Sequence, residues 1–190
     1  MTKIGFIRHG RTPWNIEGKA QGWCDIPLNN EGIEEANRLA LRLLSEEWDM
    51  IYSSDLLRAH QTANIIAEKL MKNVNLDSRL REVGGGLIEG TTEEERILTW
   101  GKEWRELDLG IESDDAVFSR GLSFIDEICV KHPYENVLIV SHGSFLKKII
   151  KRILPNESFE KPLLNTSITM LQRDESGWHC PLFNCTKHMV

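Results

Sequence analysis

Two apolar segments of the chain end on a histidine followed by a glycine. The first, KIGFIRHG, ends at Arg8, His9 and Gly10, and the second, NVLIVSHG, ends at His142 and Gly143. A histidine side chain can act as a nucleophile or as a general acid or base near neutral pH. The guanidinium of Arg8 is always charged and presents a planar set of donors that fits a phosphate group. The two segments therefore indicate an anion-binding site with a reactive histidine.

Two further charged residues could complete such a site. Arg58 lies at the start of the helical pattern that follows YSSDLL, and Glu82 ends the segment RLRE. Each of them, taken alone, would more often be a solvated surface charge. Arg8 and Arg58, together with two histidines and the backbone N–H groups near Gly143, form a set that complements a phosphate dianion. Each charge-assisted hydrogen bond to such an ion is worth about 1.5–3 kcal/mol.

The elements that must position these residues alternate between strands and helices. Continuous apolar runs or short apolar segments predict strands, and apolar residues at helical spacing predict helices. The predicted strands are 3–7, 49–54, 74–82, 136–141, 167–173 and 178–183, and the predicted helices are 29–47, 55–70, 91–107, 114–131 and 143–154. The glycine-rich segment 83–90 is predicted to be a mobile connection.

This alternation predicts an α/β fold of three layers, α/β/α, around a mostly parallel central sheet. In such sheets ligands bind beyond the carboxyl ends of the strands, near a switch in strand order. We therefore expect His9 and His142 to lie side by side, although more than a hundred residues separate them. We predict a single domain over residues 1–190, with 83–132 as a helical lid or subdomain insertion.

Composition narrows the possible partners and the compartment. The net charge is −6, and no stripe of Lys and Arg is present, which disfavours a nucleic-acid partner. No apolar run approaches the roughly 18 residues that a membrane span needs, and the first residues do not have the pattern of a signal peptide. We therefore expect a cytoplasmic protein without a membrane partner. A homodimer formed through a sheet edge is possible.

The C-terminal segment contains four potential metal ligands, His179, Cys180, Cys185 and His188. Their spacing differs from the paired C-x-x-C pattern of structural zinc sites. The adjacent His179 and Cys180 would also point to opposite faces of a strand. We therefore predict unpaired thiols in this segment rather than a metal site.

Six segments together resemble the histidine phosphatase superfamily, whose members have the phosphoglycerate mutase-like fold. The segment FIRHGRTPWN is similar to the signature of that family. The further segments that resemble it, in family order across residues 4–171, are DIPLNNEGIEEA, IYSSDLLRAHQTA, LREVGGGLIEG, VLIVSHGSFLK and NTSITML. This set is far more specific than the tripeptide RHG alone.

The resemblance implies a role for each of five residues. His9 would be the nucleophile that accepts the phosphoryl group as phosphohistidine. Arg8, Arg58 and His142 would bind the phosphate oxygens and the charge that develops on them in the transition state. Glu82 would be the general acid for the leaving alkoxide and then the base that activates water. Because cationic side chains supply the electrostatics, no metal or other cofactor is expected.

Four more residues are expected to contact the substrate, which would be a small phosphate ester. By the resemblance, Asn15, Gln21 and Gly22 lie in the loop around the phosphate. Gly143 opens a helix whose N-terminus favours an anion. These four complete the predicted substrate-binding set.

The sequence departs from the family pattern at two positions. Arg11 stands where the family often has Glu or Gln, and we expect its side chain either to widen the cationic rim of the site or to point to solvent, with solvent favoured. Ile88 replaces an aromatic residue that is common before the EG pair. This second departure leaves Glu89 as an alternative to Glu82 for the acid.

We predict a metal-independent phosphomonoesterase that forms a phosphohistidine intermediate. Only 60 positions separate Glu82 from His142, whereas mutases of the family carry a longer insertion there. A less enclosed site lets water reach the intermediate, which favours hydrolysis. The alternatives are a cofactor-dependent phosphoglycerate mutase and a non-catalytic protein that binds a phosphorylated ligand.

Overall fold

The computed structural model describes residues 2–189. Six strands among them form a central sheet. The strands are β1 (Thr2–Arg8), β2 (Met50–Ser53), β3 (Val74–Leu76), β4 (Asn136–Ser141), β5 (Ile168–Asp174) and β6 (Gly177–Cys185). Their order across the sheet is β3-β2-β4-β1-β5-β6. Strands β3, β2, β4 and β1 pair in parallel, whereas β5 and β6 add an antiparallel edge. The predicted mostly parallel sheet is confirmed.

Helices cover both faces of this sheet. The helices are α1 (Pro13–Ile16), α2 (Asn30–Leu43), α3 (Leu57–Leu70), α4 (Glu93–Trp100), α5 (Asp114–Lys131) and α6 (Gly143–Ile153). Of these, α2, α3, α5 and α6 pack on the sheet. One core contains α5, α6 and the strand residues Ile4 and Phe6, and the other contains α2, α3 and Ile7. Because β1 is buried on both faces, its apolar residues form a continuous run instead of alternating with polar ones.

The sheet brings the two HG segments to one edge. Strands β1 and β4 are parallel neighbours, and Arg8 pairs with Ser141 at their carboxyl ends. The next residues along each chain segment are His9 and His142. The backbone N–H of His9 also donates to the carbonyl of Ser141 at 3.0 Å. The two histidines are therefore side by side because the strands that carry them are neighbours.

The structure differs from the predicted local bounds at three places. The strand predicted over 74–82 ends at Leu76, and a short 3-10 turn follows at Ser78–Leu80. The helix predicted over 91–107 ends at Trp100, because Gly101 adopts a φ of 85°, which few other residues tolerate. Residues 83–90 contain a three-residue 3-10 turn at Gly86–Ile88, and the mobility of this connection stays a prediction.

Residues 83–132 contain α4 and α5, and their role as a lid stays a prediction, as does the homodimer. The predicted hairpin at the C-terminal end of the sheet is present as β5 and β6. None of the helices in the described part of the chain combines the length and the apolar composition that a membrane span requires.

Candidate active site

The imidazole rings of His9 and His142 face each other at the carboxyl ends of β1 and β4. Their centroids are 5.2 Å apart, and the rings are tilted by 58°. His9 is 3% exposed and His142 is fully buried. Two side chains that are far apart along the chain therefore form one site in the folded protein.

Among the described residues, His9 is held by a hydrogen bond at one ring nitrogen, Nδ1. Its Nδ1 lies 2.7 Å from the carbonyl oxygen of Gly10, and because a carbonyl can only accept, Nδ1 must carry the proton. Nε2 then has a free lone pair, and the ring lines the central cavity. Burial, with further contributions from Arg58 and Arg8, lowers the pKa of His9 well below its ordinary value. The ring is therefore a neutral imidazole, which is the nucleophilic form.

His142 is oriented by the loop that follows β2. Its Nε2 lies 2.9 Å from Ser54 Oγ. Burial, followed by the charges of Arg58 and neighbouring groups, lowers the pKa of His142 well below its ordinary value. Ser54 Oγ also accepts from the backbone N–H of Leu56 at 3.3 Å, and its own proton can be donated to Nε2 of the neutral His142 tautomer that carries its proton on Nδ1. In this neutral tautomer His142 Nδ1 is a donor.

Two arginines lie beside the histidines and are fixed by backbone carbonyls. Arg8 Nη1 donates to Leu163 at 2.6 Å. Arg58, which is fully buried, donates to the carbonyls of Gly22 and Cys24, each at 2.8 Å. Burial lowers the pKa of Arg58 to about 10, so it remains a cation at neutral pH. Neither arginine forms an ion pair with a carboxylate of the described chain.

Three buried nitrogens of this cluster have no hydrogen-bond partner among the described residues. They are Arg8 Nε, Arg58 Nε and His142 Nδ1. Most buried polar groups in folded proteins are hydrogen-bonded. Unpartnered donors on two cations and a histidine therefore indicate a site built for a ligand rich in acceptor oxygens.

The Glu82 carboxylate lies at the N-terminus of α6, the helix that begins directly after His142. Its Oε1 accepts from the backbone N–H groups of Val83 and Phe145 at 2.9 and 2.7 Å, and its Oε2 accepts from that of Ser144 at 3.1 Å. The side chain lines the same cavity as His9. The carboxylate is thus beside the cationic cluster but is held by backbone N–H groups.

Glu89, the alternative acid, occupies a different environment. Its Oε1 accepts from the backbone N–H groups of Trp23 and Gly85, each at 2.8 Å, and its Oε2 accepts from Cys24 Sγ at 3.2 Å. It is not among the residues that line the cavity. Glu89 therefore joins two loops, and its position favours Glu82 for contact with a ligand.

The central cavity has a volume of about 630 Å³ and contains most of the predicted set. The predicted residues that line it are Arg8, His9, Asn15, Gln21, Gly22, Arg58 and Glu82. His142 contacts the ring of His9 but is not among the residues that line the cavity. Gly143 lies against Arg8: an added Cβ would come within 3.2 Å of Arg8 Nε. Gly143 thus lets the guanidinium approach the start of α6.

The outer part of the cavity carries both signs of charge. Lys148 and Asp114 form an ion pair at 2.6 Å, and both line the cavity. Arg105 and Lys19 line it as well, and so does Glu112. This rim with charges of both signs was not predicted, because in the sequence each of these residues resembles an ordinary solvated surface charge.

Two features that the sequence left open lie outside the cavity. Arg11 pairs with Glu31 at 2.5 Å and with Glu35 at 3.4 Å, so it does not extend the cationic rim. In the tail, Cys185 and the other cysteines are free thiols. Within residues 2–189, no group of three or more His, Cys, Asp or Glu side chains has an arrangement that could hold a metal ion.

Sequence reasoning missed Asn165, which supports the first loop of the site. Its Nδ2 donates to the carbonyl of His9 at 3.0 Å and contacts Asn15 Oδ1 at 3.3 Å. Asn15 Oδ1 in turn accepts from the backbone N–H of Thr12 at 3.0 Å. Two signals in the sequence could have found it: Asn165 is the first residue of the family-like segment NTSITML, and it lies just before a predicted strand.

Comparison with known proteins identifies relatives along nearly the whole chain. The model of the histidine phosphatase superfamily (branch 1) matches residues 4–186. Phosphoglycerate mutase-like protein 4 of Arabidopsis thaliana is 33% identical over 98% of this chain and 86% of its own length. The metal-independent phosphoserine phosphatase of the same plant is 34% identical over 100% of this chain and 84% of its own length.

A solved structure gives the same relationship in three dimensions. A mutant phosphoserine phosphatase from Entamoeba histolytica, determined in complex with phosphoserine, aligns with a TM-score of 0.84 and 31% identity. The alignment covers 100% of both chains. The fold and the order of its segments are therefore shared with this phosphatase over the full length.

Proposed function

The chain belongs to the histidine phosphatase superfamily, and we propose that it hydrolyses phosphate monoesters through a phosphoryl group carried on His9. Its family and its phosphatase relatives indicate a hydrolase, as predicted from the sequence. One observation carries the assignment to this site. The free Nε2 of a neutral His9 lies in a cavity lined by Arg8 and Arg58, and buried donors on these two arginines and on the adjoining His142 have no partner in the described chain.

In this proposal the phosphate group binds among those donors. Arg8 Nε, Arg58 Nε and His142 Nδ1 each donate to a phosphate oxygen. The burial of these groups strengthens the interaction, because charges attract more strongly where water is excluded. Since backbone carbonyls already fix both guanidiniums, little reorganisation is needed when negative charge builds up in the transition state.

His9 then attacks the phosphorus atom. The Nε2 lone pair forms the N–P bond while the bond from phosphorus to the ester oxygen breaks. The Gly10 carbonyl holds the proton on Nδ1 and stabilises the positive charge that the ring gains. Glu82, protonated at this point, gives its proton to the leaving oxygen, and the free alcohol departs.

Water completes the cycle in a second step. Glu82 is now a carboxylate and takes a proton from a water molecule as the water oxygen attacks phosphorus. The N–P bond breaks, inorganic phosphate is released, and His9 returns to its neutral form. Glu82 is protonated again, so protons balance over the two steps. A protein that only bound phosphate would have no use for this carboxyl group beside His9.

The charges at the outer cavity support a finer proposal about the substrate. Lys148 follows Ser144 by one helical turn, and the N–H of Ser144 holds Glu82. Lys148 and its partner Asp114 offer an ammonium and a carboxylate next to the site of proton transfer. A phosphorylated hydroxy acid matches this pair, above all one with both a carboxylate and an ammonium group. Phosphoserine has both groups, and relatives named for that substrate support the proposal.

We expect Lys148→Met to reduce kcat/KM for phosphoserine by roughly tenfold or more, because one charge-assisted hydrogen bond to the carboxylate is lost. Hydrolysis of p-nitrophenyl phosphate, which lacks the carboxylate, should change by less than about threefold. Lys151→Met on the same helix is the matched control, since Lys151 does not line the cavity. Equal losses on both esters would contradict this role for Lys148.

The proposed activity is tested by measuring phosphate release from phosphoserine, 3-phosphoglycerate and p-nitrophenyl phosphate in excess EDTA. We expect hydrolysis that the chelator does not reduce. Activity that disappears with EDTA would refute metal independence. Interconversion of 2- and 3-phosphoglycerate without phosphate release would instead assign a mutase, and tight phosphate binding without turnover would assign a binding protein.

A further inference from the structure

The segment that carries Glu82 is held by side chains rather than by the sheet. Strand β3 ends at Leu76, so residues 79–82 have no strand partner. Their four carbonyl oxygens nevertheless all accept hydrogen bonds from side chains. Ser141 Oγ donates to the carbonyl of Leu80 at 2.7 Å. Arg120, from α5, donates to the other three carbonyls at 2.7, 2.7 and 3.0 Å.

Arg120 uses all five of its N–H donors in this arrangement. Besides the three carbonyls, it forms a two-pronged ion pair with Glu112, with both N–O distances at 2.8 Å. Glu112 also binds the far side of the segment. Its Oε2 accepts from the N–H of Gly84 at 3.0 Å, and its own N–H donates to the carbonyl of Gly84 at 2.8 Å. The pair thus contacts the main chain on both sides of Glu82.

The same guanidinium touches the group that orients the Glu82 carboxylate. Its central carbon lies 4.7 Å from the centre of the Phe145 ring, and the backbone N–H of Phe145 donates to Glu82 Oε1 at 2.7 Å. Arg120 is not among the residues that line the cavity. It can therefore influence a ligand only through Glu82 and its neighbours.

We propose that Arg120 and Glu112 are a positioning pair that sets the distance and angle at which Glu82 transfers its proton. This inference rests on the proposed function, in which Glu82 is the acid. Proton transfer depends steeply on geometry, and a misplacement of about 1 Å can cost roughly 100-fold in rate. Because the segment has no sheet ladder, loss of the five hydrogen bonds leaves Ser141 and Trp23 as the side chains of residues 2–189 that hold its carbonyls.

The test compares two esters of the same shape, phenyl phosphate and p-nitrophenyl phosphate. The phenolate leaving group needs a proton far more than the nitrophenolate does. For Arg120→Gln we expect kcat/KM to fall by about 100-fold on phenyl phosphate and by less than about tenfold on p-nitrophenyl phosphate. The inhibition constant of inorganic phosphate should not change, because the phosphate-binding groups remain. For Arg120→Lys, the ratio of kcat/KM on the two esters should be closer to the wild-type value than for Arg120→Gln, since an ammonium still donates three hydrogen bonds.

Glu127→Gln is the matched control. Glu127 also lies on α5 and pairs at 2.8 Å with Arg79, which belongs to the same segment, but this pair is on the surface. The ratio of the two esters should stay at its wild-type value. If Arg120→Gln does not fold, Glu112→Gln decides the question, and we expect it to shift the ratio in the same direction.

An unchanged ratio of the two rates in a folded Arg120 or Glu112 variant would overturn the proposal. So would equal losses on both esters with weaker phosphate inhibition, because that pattern indicates general disruption of the site. Failure of the proposed function has a different outcome, in which the wild-type protein hydrolyses neither ester. The two failures are therefore distinguishable.

Discussion

Replacement of His9 by alanine is expected to reduce phosphate ester hydrolysis by at least about 10⁴-fold, because it removes the atom that bonds to phosphorus. The loss should be similar for good and poor leaving groups, since both require the phosphohistidine. The measurement is kcat/KM on p-nitrophenyl phosphate and phosphoserine. Binding of inorganic phosphate should persist, because Arg8 and Arg58 do not depend on His9 for their orientation.

His179→Ala is the control for this change. His179 lies on β6 and is partly exposed, and its ion-pair partner in the described part of the chain is Asp174, at 3.6 Å. Its loss should therefore leave the rate within about twofold of wild type. A His9→Ala protein that is folded and retains more than about a tenth of the wild-type activity would contradict the assignment of the nucleophile. Water or another side chain would then have to attack phosphorus directly.

Replacement of Glu82 by glutamine should produce a loss that depends on the leaving group. Without a proton donor, kcat/KM for phosphoserine should fall by about 10²–10⁴-fold. The fall on p-nitrophenyl phosphate should be less than about tenfold, because nitrophenolate leaves without a proton. The ratio kcat/KM is the right measure, since it covers the steps up to departure of the alcohol.

Glu89→Gln separates the two candidates for the acid. Glu89 binds the backbone of Trp23 and Gly85, so its replacement should lower both rates together or reduce thermal stability. If Glu89→Gln shows the leaving-group dependence and Glu82→Gln lowers both rates equally, the acid role belongs to Glu89. The position of Glu82 in the cavity predicts the opposite result.

The parts of this site that the sequence predicted are those at the ends of buried strands. β1 and β4 are continuous apolar runs, and each ends at a polar dipeptide, so their carboxyl ends could be located from the pattern alone. Parallel pairing then brings His9 and His142 to one edge. The resemblance to a family added Arg58 and Glu82, which no local pattern distinguishes from surface charges.

The parts that the sequence could not predict depend on contacts between distant segments. Residues 74–82 are predicted as one strand, yet the ladder ends at Leu76, opposite Ser53, where the neighbouring β2 ends. The later carbonyls accept from Arg120 and Ser141 instead. Arg120 lies on an amphipathic helix, where a charged side chain usually faces solvent. Its five hydrogen bonds exist only once α5 has packed beside the segment that carries Glu82.

The phosphohistidine is the central claim, and its direct detection is the sharpest test. The enzyme is mixed with phosphoserine, stopped in alkali within milliseconds, digested and analysed by mass spectrometry. We predict one added phosphoryl group on the peptide that contains His9, its absence from the His9→Ala protein, and its accumulation when dephosphorylation is slowed in Glu82→Gln treated with p-nitrophenyl phosphate. Hydrolysis at the full rate with no phosphorylated His9 peptide at any time would contradict the account.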